Sequence, residues 1–111
     1  MITTEKRDKI DIVSFNIRKL DALVTERVRE DINKLFVNPN ARVVLDLRGV
    51  EYIDSSGFGC FLSALRAARN NYGTVKIANP EPRILTLFHT LQLDTVFDIV
   101  PDLDECIRSL R

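Results

Sequence analysis

Two adjacent serines, Ser55 and Ser56, stand between Asp54 and Gly57, directly before the periodic apolar run Phe58, Phe61, Leu62 and Leu65. Upstream lies an apolar β-type run, Val43 to Leu47, joined to them through a turn containing Gly49. A polar cluster at such a junction reads as a helix start, where an Asp or Ser side chain accepts from the unpaired N–H groups of the first turn. The same helix end carries partial positive charge and suits an added phosphate. Two hydroxyls placed there are candidates for phosphorylation. Capping and modification are compatible, because Asp54 or Ser55 can cap while the Ser56 hydroxyl faces a kinase.

Other residues carry groups capable of chemistry. Asp46 and Asp54 suggest the acidic pocket of a phosphoaspartate receiver or a carboxylate pair. A receiver needs two adjacent acids after its first strand and a lysine at a late strand end, whereas Asp8 and Asp11 precede or enter a strand and Lys76 sits inside one. Helix capping by Asp54 and loop-amide bonding by Asp46 are expected instead. His89 is the sole histidine, and nothing around it supports a Ser–His–acid arrangement with Ser55 or Ser56. Gly57 and Gly59 are too short a pattern for a dinucleotide fingerprint and are expected to admit close backbone approach. Phe58 between them fits either the core or a partner-facing anchor. Cys60 and Cys106 lack metal-ligand spacing and read as buried free thiols. No catalytic residue, metal site or cofactor is expected.

The elements that must position the serines follow from periodicity. Ile10 to Ile17 reads as a strand, with a more polar segment near Ile2 to Glu5 able to form a hairpin across Lys6 to Lys9. From Asp21 onward the period changes, and Val24, Val28, Ile32, Leu35 and Phe36 share one helix face. Asn38-Pro39-Asn40 ends that helix before the strand Val43 to Leu47. The next helix runs from Ser55 or Ser56 to about Asn70, with Phe58, Phe61, Leu62 and Leu65 as its apolar stripe and Asn70-Asn71-Tyr72-Gly73 as its stop. Thr74 to Ala78 is a strand. A third helix begins at Pro80-Glu81-Pro82 and carries Ile84, Leu87, Phe88 and Leu91. Val96 to Val100 reads as a short strand, and Asp102 to Leu110 as a terminal helix with Leu103, Cys106, Ile107 and Leu110 inward. Alternating strands and helices imply an α/β sheet with mostly parallel strands and right-handed crossovers.

Composition narrows the function classes. The 111 residues suit one domain. Sixteen basic and sixteen acidic residues cancel, and no basic block stands out, so direct nucleic-acid binding has no support. No apolar run reaches the ~18 to 20 residues of a membrane span and no signal segment opens the chain, so a cytoplasmic location without membrane insertion is expected.

Leu45-Asp46-Leu47-x-Gly49-Val50-x-x-Ile53-Asp54-Ser55-Ser56-Gly57-x-Gly59 resembles the signature of STAS domains, named for sulfate transporters and anti-sigma factor antagonists. The resemblance continues through Ile17-x-x-Leu20-Asp21, Thr74 to Pro80, and Leu87-x-x-x-x-Leu91-x-Leu93-Asp94-x-Val96-Phe97, and so covers nearly the whole chain. One departure is Arg18, where family members usually have glycine. The resemblance implies a single STAS domain over residues 1–111, with a mostly parallel sheet of roughly four to five strands, mixed at the edge, and about four helices. It further implies a bacterial anti-sigma factor antagonist, a binding module and substrate but not an enzyme. Its unphosphorylated form would bind an anti-sigma factor that is a serine kinase and so free a sigma factor. Phosphorylation on Ser56, less favourably Ser55, would end binding, and a serine phosphatase would restore it. Asp21, Asp54, Ser55, Gly57 and Phe58 are the expected partner-binding residues. The alternative is a stand-alone STAS scaffold subunit of a signalling assembly or of a lipid transporter. The oligomeric state stays open.

Charge accounts for such a switch. A phosphoserine carries ~1.5 to 2 negative charges at neutral pH. A helix N-terminus stabilises nearby negative charge by ~0.3 to 1 kcal/mol, so the fold tolerates the group. A partner packed against the same end must desolvate it, which is costly without a cation. Asp46, Asp54 and Asp21 are expected to add repulsion.

Overall fold

The chain opens with Ile2–Arg7 (β1) and Ile10–Phe15 (β2), an antiparallel hairpin in register from Ile2 opposite Phe15 to Arg7 opposite Ile10. The computed structural model describes all residues from Met1 to Arg111. The hairpin turns at Asp8 and Lys9, whose φ angles of 51° and 65° are both left-handed, the pairing whose twist matches that of hairpin strands. There follow Lys19–Leu20 (β3), the helix Thr25–Asn33 (α1), Arg42–Asp46 (β4), Tyr52–Ile53 (β5), the helix Ser55–Asn70 (α2), Thr74–Ala78 (β6), the helix Pro82–Thr90 (α3), Ile99–Val100 (β7) and the helix Leu103–Leu110 (α4).

Five strands form one sheet in the order β1-β2-β4-β6-β7, with every junction after the first parallel. This is the expected architecture, mixed only at the β1 edge. Alternation of side chains along each strand divides the core. Val13, Phe15, Val43, Leu45, Val75 and Ile77 face a large cluster completed by α1, α2 and α3, whereas Ile10, Ile12, Val44, Ala78 and Val100 face a smaller one under α4. Both faces of β4 are therefore covered, which is why Val43, Val44 and Leu45 form an unbroken apolar run.

Several local expectations needed correction. Helix α1 begins at Thr25 rather than near Asp21, because residues 21–24 form a turn in which the Asp21 Oδ1 accepts from the Leu23 N–H at 3.1 Å. The C-terminal part of that run, Lys34–Phe36, tightens into a 3₁₀ turn. On α2, Cys60 faces the core while Leu62 is 39% exposed, and on α3 Leu91 is 52% exposed. The strand expected over Val96 to Val100 contracts to β7, since a 3₁₀ turn at Leu93–Thr95 leads into Phe97, which is buried against α2 and α3. At the end of α2 the left-handed residue is Tyr72 (φ 58°). Gly73 is needed for space instead, because a Cβ there would lie 3.0 Å from the Ala41 carbonyl oxygen.

One element had no counterpart in the sequence reading. Strands β3 and β5 pair in parallel as a separate two-stranded sheet, Lys19 beside Tyr52 and Leu20 beside Ile53. Arg18, the departure noted above, starts this pairing: its carbonyl accepts from the Glu51 and Tyr52 N–H groups at 2.8 and 3.1 Å. Its guanidinium holds Glu51 Oε2 at 2.8 Å across the same gap.

Candidate functional site

The β3–β5 ladder delivers two distant segments to one place. Beyond it the Asp54 N–H donates to the Leu20 carbonyl at 3.3 Å, so the turn starting at Asp21 lies against the first residues of α2. Gly57 makes this seating possible. A Cβ on Gly57 would lie 2.6 Å from both the Leu20 carbonyl oxygen and Ile53 Cγ2, closer than side chains approach. The expectation of close backbone approach thus holds at Gly57, whose own surface is buried. It fails at Gly59, where an added Cβ would meet nothing within 4 Å.

Asp54, not Ser55, caps α2. Its Oδ1 accepts from the Gly57 N–H at 3.1 Å and from the Ser56 hydroxyl at 2.5 Å. The Ser56 hydroxyl foremost, then the N–H groups of Gly57, Ala22 and Ser56, hold the Asp54 carboxyl below its usual value, against a smaller opposing effect of desolvation. Asp54 is therefore an anion under ordinary conditions, and its charge orients the Ser56 hydroxyl. Ser55 is exposed and Ser56 half-buried. Ser56 opens onto a groove of about 360 Å³ between α1 and α2, lined by Ala22, Thr25, Glu26 and Arg29 on one side and Ser56, Gly59 and Cys60 on the other.

The remaining candidates are distributed as follows. Asp21 stands in the turn beside Asp54, and Leu23 next to it is 92% exposed. Phe58 points inward, 7% exposed and edge-on to Phe88 at a centroid distance of 5.2 Å, so its side chain belongs to the core. Asp46 does accept from a loop amide, the Arg48 N–H at 3.1 Å, and also from Asn79 Nδ2. It lines a different cavity, with Arg7 and Arg48, so the acid it was expected to contribute beside Ser56 is supplied by Asp54 and Glu26. His89 pairs with Asp94 at 2.6 Å in a third cavity that contains neither serine. Cys60 and Cys106 are buried free thiols, each pushed up to about 11 by burial. Among side chains in the groove, sequence reasoning passed over Glu26 and Arg29. Their spacing on the polar face of α1 carried no signal, because their neighbour across the groove is set by helix packing.

A five-stranded, mostly parallel sheet with four helices and a serine pair at the capped start of its second long helix defines a single-domain α/β protein. The STAS domain family matches residues 1–106, and the chain belongs to that family. It is 26% identical over 98 residues to the anti-sigma-B factor antagonist of Listeria monocytogenes, covering 88% of this chain and 86% of the relative. Its fold is similar to an anti-sigma factor antagonist from Mycobacterium paratuberculosis, with a TM-score of 0.86 at 22% identity over 100% of this chain and 93% of that one. It is also similar to the anti-sigma factor antagonist SpoIIAA in its unphosphorylated form (TM-score 0.72, 19% identity, covering 100% of this chain and 98% of that one). The Bacillus cell fate determinant SpoIIAA in the phosphorylated form gives a TM-score of 0.73 at 20% identity, with 100% of both chains covered.

Proposed function

We propose that this domain is an anti-sigma factor antagonist regulated at Ser56. Its unphosphorylated form binds an anti-sigma factor that is itself a serine kinase, in the cytoplasm, and so releases the sigma factor that the kinase holds. The kinase transfers the terminal phosphoryl group of ATP to Ser56 Oγ, with ADP leaving and the hydroxyl proton passing to solvent or a kinase base. The modified domain then dissociates, and a serine phosphatase restores it. The domain is substrate and binding module, and the metal that assists phosphoryl transfer from ATP belongs to the kinase. Support comes from the family and from the naming of its relatives as anti-sigma factor antagonists. The observation that carries the reading is the Ser56 hydroxyl itself. It lies on the first turn of α2, opens onto a surface groove, and adjoins the exposed turn at Asp21 and Leu23.

The effect of phosphate follows from its surroundings. A dianion on Ser56 replaces the hydroxyl donor to Asp54 with a second negative group, and any partner covering this end must desolvate both. The core residues lie below the helix start, so binding is lost while the fold is kept. Ser56→Asp should change stability by no more than about 1 kcal/mol. It should weaken partner binding at least tenfold, equivalent to about 1.4 kcal/mol. Ser56→Ala should bind and resist phosphorylation. Phosphopeptide mapping with the kinase and ATP should find one dominant site at Ser56. Titration calorimetry with purified phosphoprotein is the strict test. Full affinity there refutes the switch and leaves a constitutive scaffold role.

A further inference from the structure

Helices α1 and α2 follow β3 and β5, which pair in parallel, and they pack side by side in the same direction. Their alignment is pinned by Asn33 Nδ2, which donates to Ser63 Oγ at 3.1 Å. One turn back on each helix lies the groove, where Thr25 and Arg29 face Ser56, Gly59 and Cys60. Arg29 takes part in none of the ion pairs of the structure. Arg29, Ser56 and Cys60 line the same groove, Ser56 one turn before Cys60 on α2, and the Arg29 charge lowers the Cys60 thiol pKa that burial raises. Side chains on a helix lean toward its N-terminus, so Arg29 leans from its own level toward that of Thr25 and Ser56. Gly59, without a Cβ, leaves the space between them open.

We propose that Arg29 receives the phosphate of phosphorylated Ser56, so that an ion pair across the α1–α2 groove holds the modified state. This deepens the reading above and rests on Ser56 as the modified residue. Guanidinium and phosphate match in shape and form paired charge-assisted hydrogen bonds. Glu26 shares the groove, but at about −1.5 to −2 charges the phosphate is the stronger partner for the guanidinium. The phosphoryl group is thereby drawn against the domain, away from Asp54, and a phosphatase must compete with Arg29 to remove it.

The test uses the full chain with phosphoserine encoded at position 56, so that no kinase is involved, and follows the phosphate by phosphorus NMR across pH. Its second ionisation lies ordinarily near 6, and an arginine partner lowers it. Wild type should titrate about half a pH unit or more below R29Q, an exposed pair being weaker than a buried one. R27Q, which removes an exposed arginine from α1 outside the groove, should match wild type. The Arg29 Nε–H resonance should shift on phosphorylation. Equal titration of wild type and R29Q, an equal effect from R27Q, or a phosphoprotein that fails to fold would each overturn the proposal. The two readings fail separately. Kinase mapping that finds no phosphate on Ser56 sinks the switch whatever Arg29 does, and equal titration sinks the ion pair even when the kinase modifies Ser56.

Discussion

The same substitution at two glycines two residues apart should have opposite effects. Ala at position 57 puts a Cβ 2.6 Å from the Leu20 carbonyl oxygen and 2.6 Å from Ile53 Cγ2. Ordinary carbon contacts lie at about 3.5 to 4.0 Å, so roughly 1 Å must be found on both sides. Neither neighbour yields easily. The Leu20 carbonyl accepts the Asp54 N–H and belongs to the β3–β5 ladder, and Ile53 is 4% exposed. Overpacking of this kind costs about 1 to 3 kcal/mol, offset by at most about 1 kcal/mol from replacing helical glycine by alanine. The net expectation for Gly57→Ala is a loss of about 1 to 2 kcal/mol. At position 59 the added methyl meets nothing within 4 Å and the backbone is not left-handed, so only the propensity gain remains. Gly59→Ala should therefore stabilise by about 0.5 to 1 kcal/mol. For a domain near this size 1 kcal/mol moves Tm by roughly 4 to 8 °C, well outside error. Urea unfolding with unchanged m-values, together with thermal melts, reads both signs. If Gly57→Ala is neutral or stabilising, the argument that Gly57 seats α2 against β3 is wrong. Shifts in one direction at both sites would refute it equally.

Further expectations follow from the same region. Because the Asp54 pKa is depressed in the folded state, its contribution to stability is complete above the ordinary value of 3.8 and is lost as pH falls through the folded value. The stability difference between wild type and Asp54→Asn, measured by urea unfolding, should thus shrink below pH 3.8 and stay constant above it. Carbon NMR titration should show Ser56→Ala raising the Asp54 pKa toward ordinary, since the Ser56 hydroxyl is the largest cause of its depression. Asp21→Lys should weaken binding of the anti-sigma kinase while leaving circular dichroism unchanged, because Asp21 stands in a surface turn beside the cap; unaltered affinity would move the interface elsewhere. Cys60 and Cys106, with thiols pushed up to about 11 and buried, should react with an aromatic disulfide reagent at pH 8 only after unfolding, and rapid labelling of the native protein would contradict their burial.

Much of this protein was determined by local chemistry that a sequence displays. The limits of α2 were legible because an Asp-Ser-Ser-Gly start and an Asn-Asn-Tyr-Gly stop act on residues within one turn of themselves. The succession of strand-period and helix-period segments announced a mostly parallel α/β sheet, since side-chain period is set locally, residue by residue. The capping aspartate and the inward-facing α4 followed from the same kind of reasoning, whereas the choice of Ser56 over Ser55 came from the family resemblance. Tertiary packing decided what period and composition could not express. Strands β3 and β5 are two residues each, too short for any pattern, yet their pairing brings Asp21 to Asp54. Cys60 rather than Leu62 turned inward, because where the sheet and α1 stand around α2 selects which part of its apolar surface is covered. Gly57 and Gly59 look alike in the sequence and differ only in what lies across from them. Arg29 reaches the groove of Ser56 because two parallel helices pack side by side, an alignment set by the shared sheet beneath them.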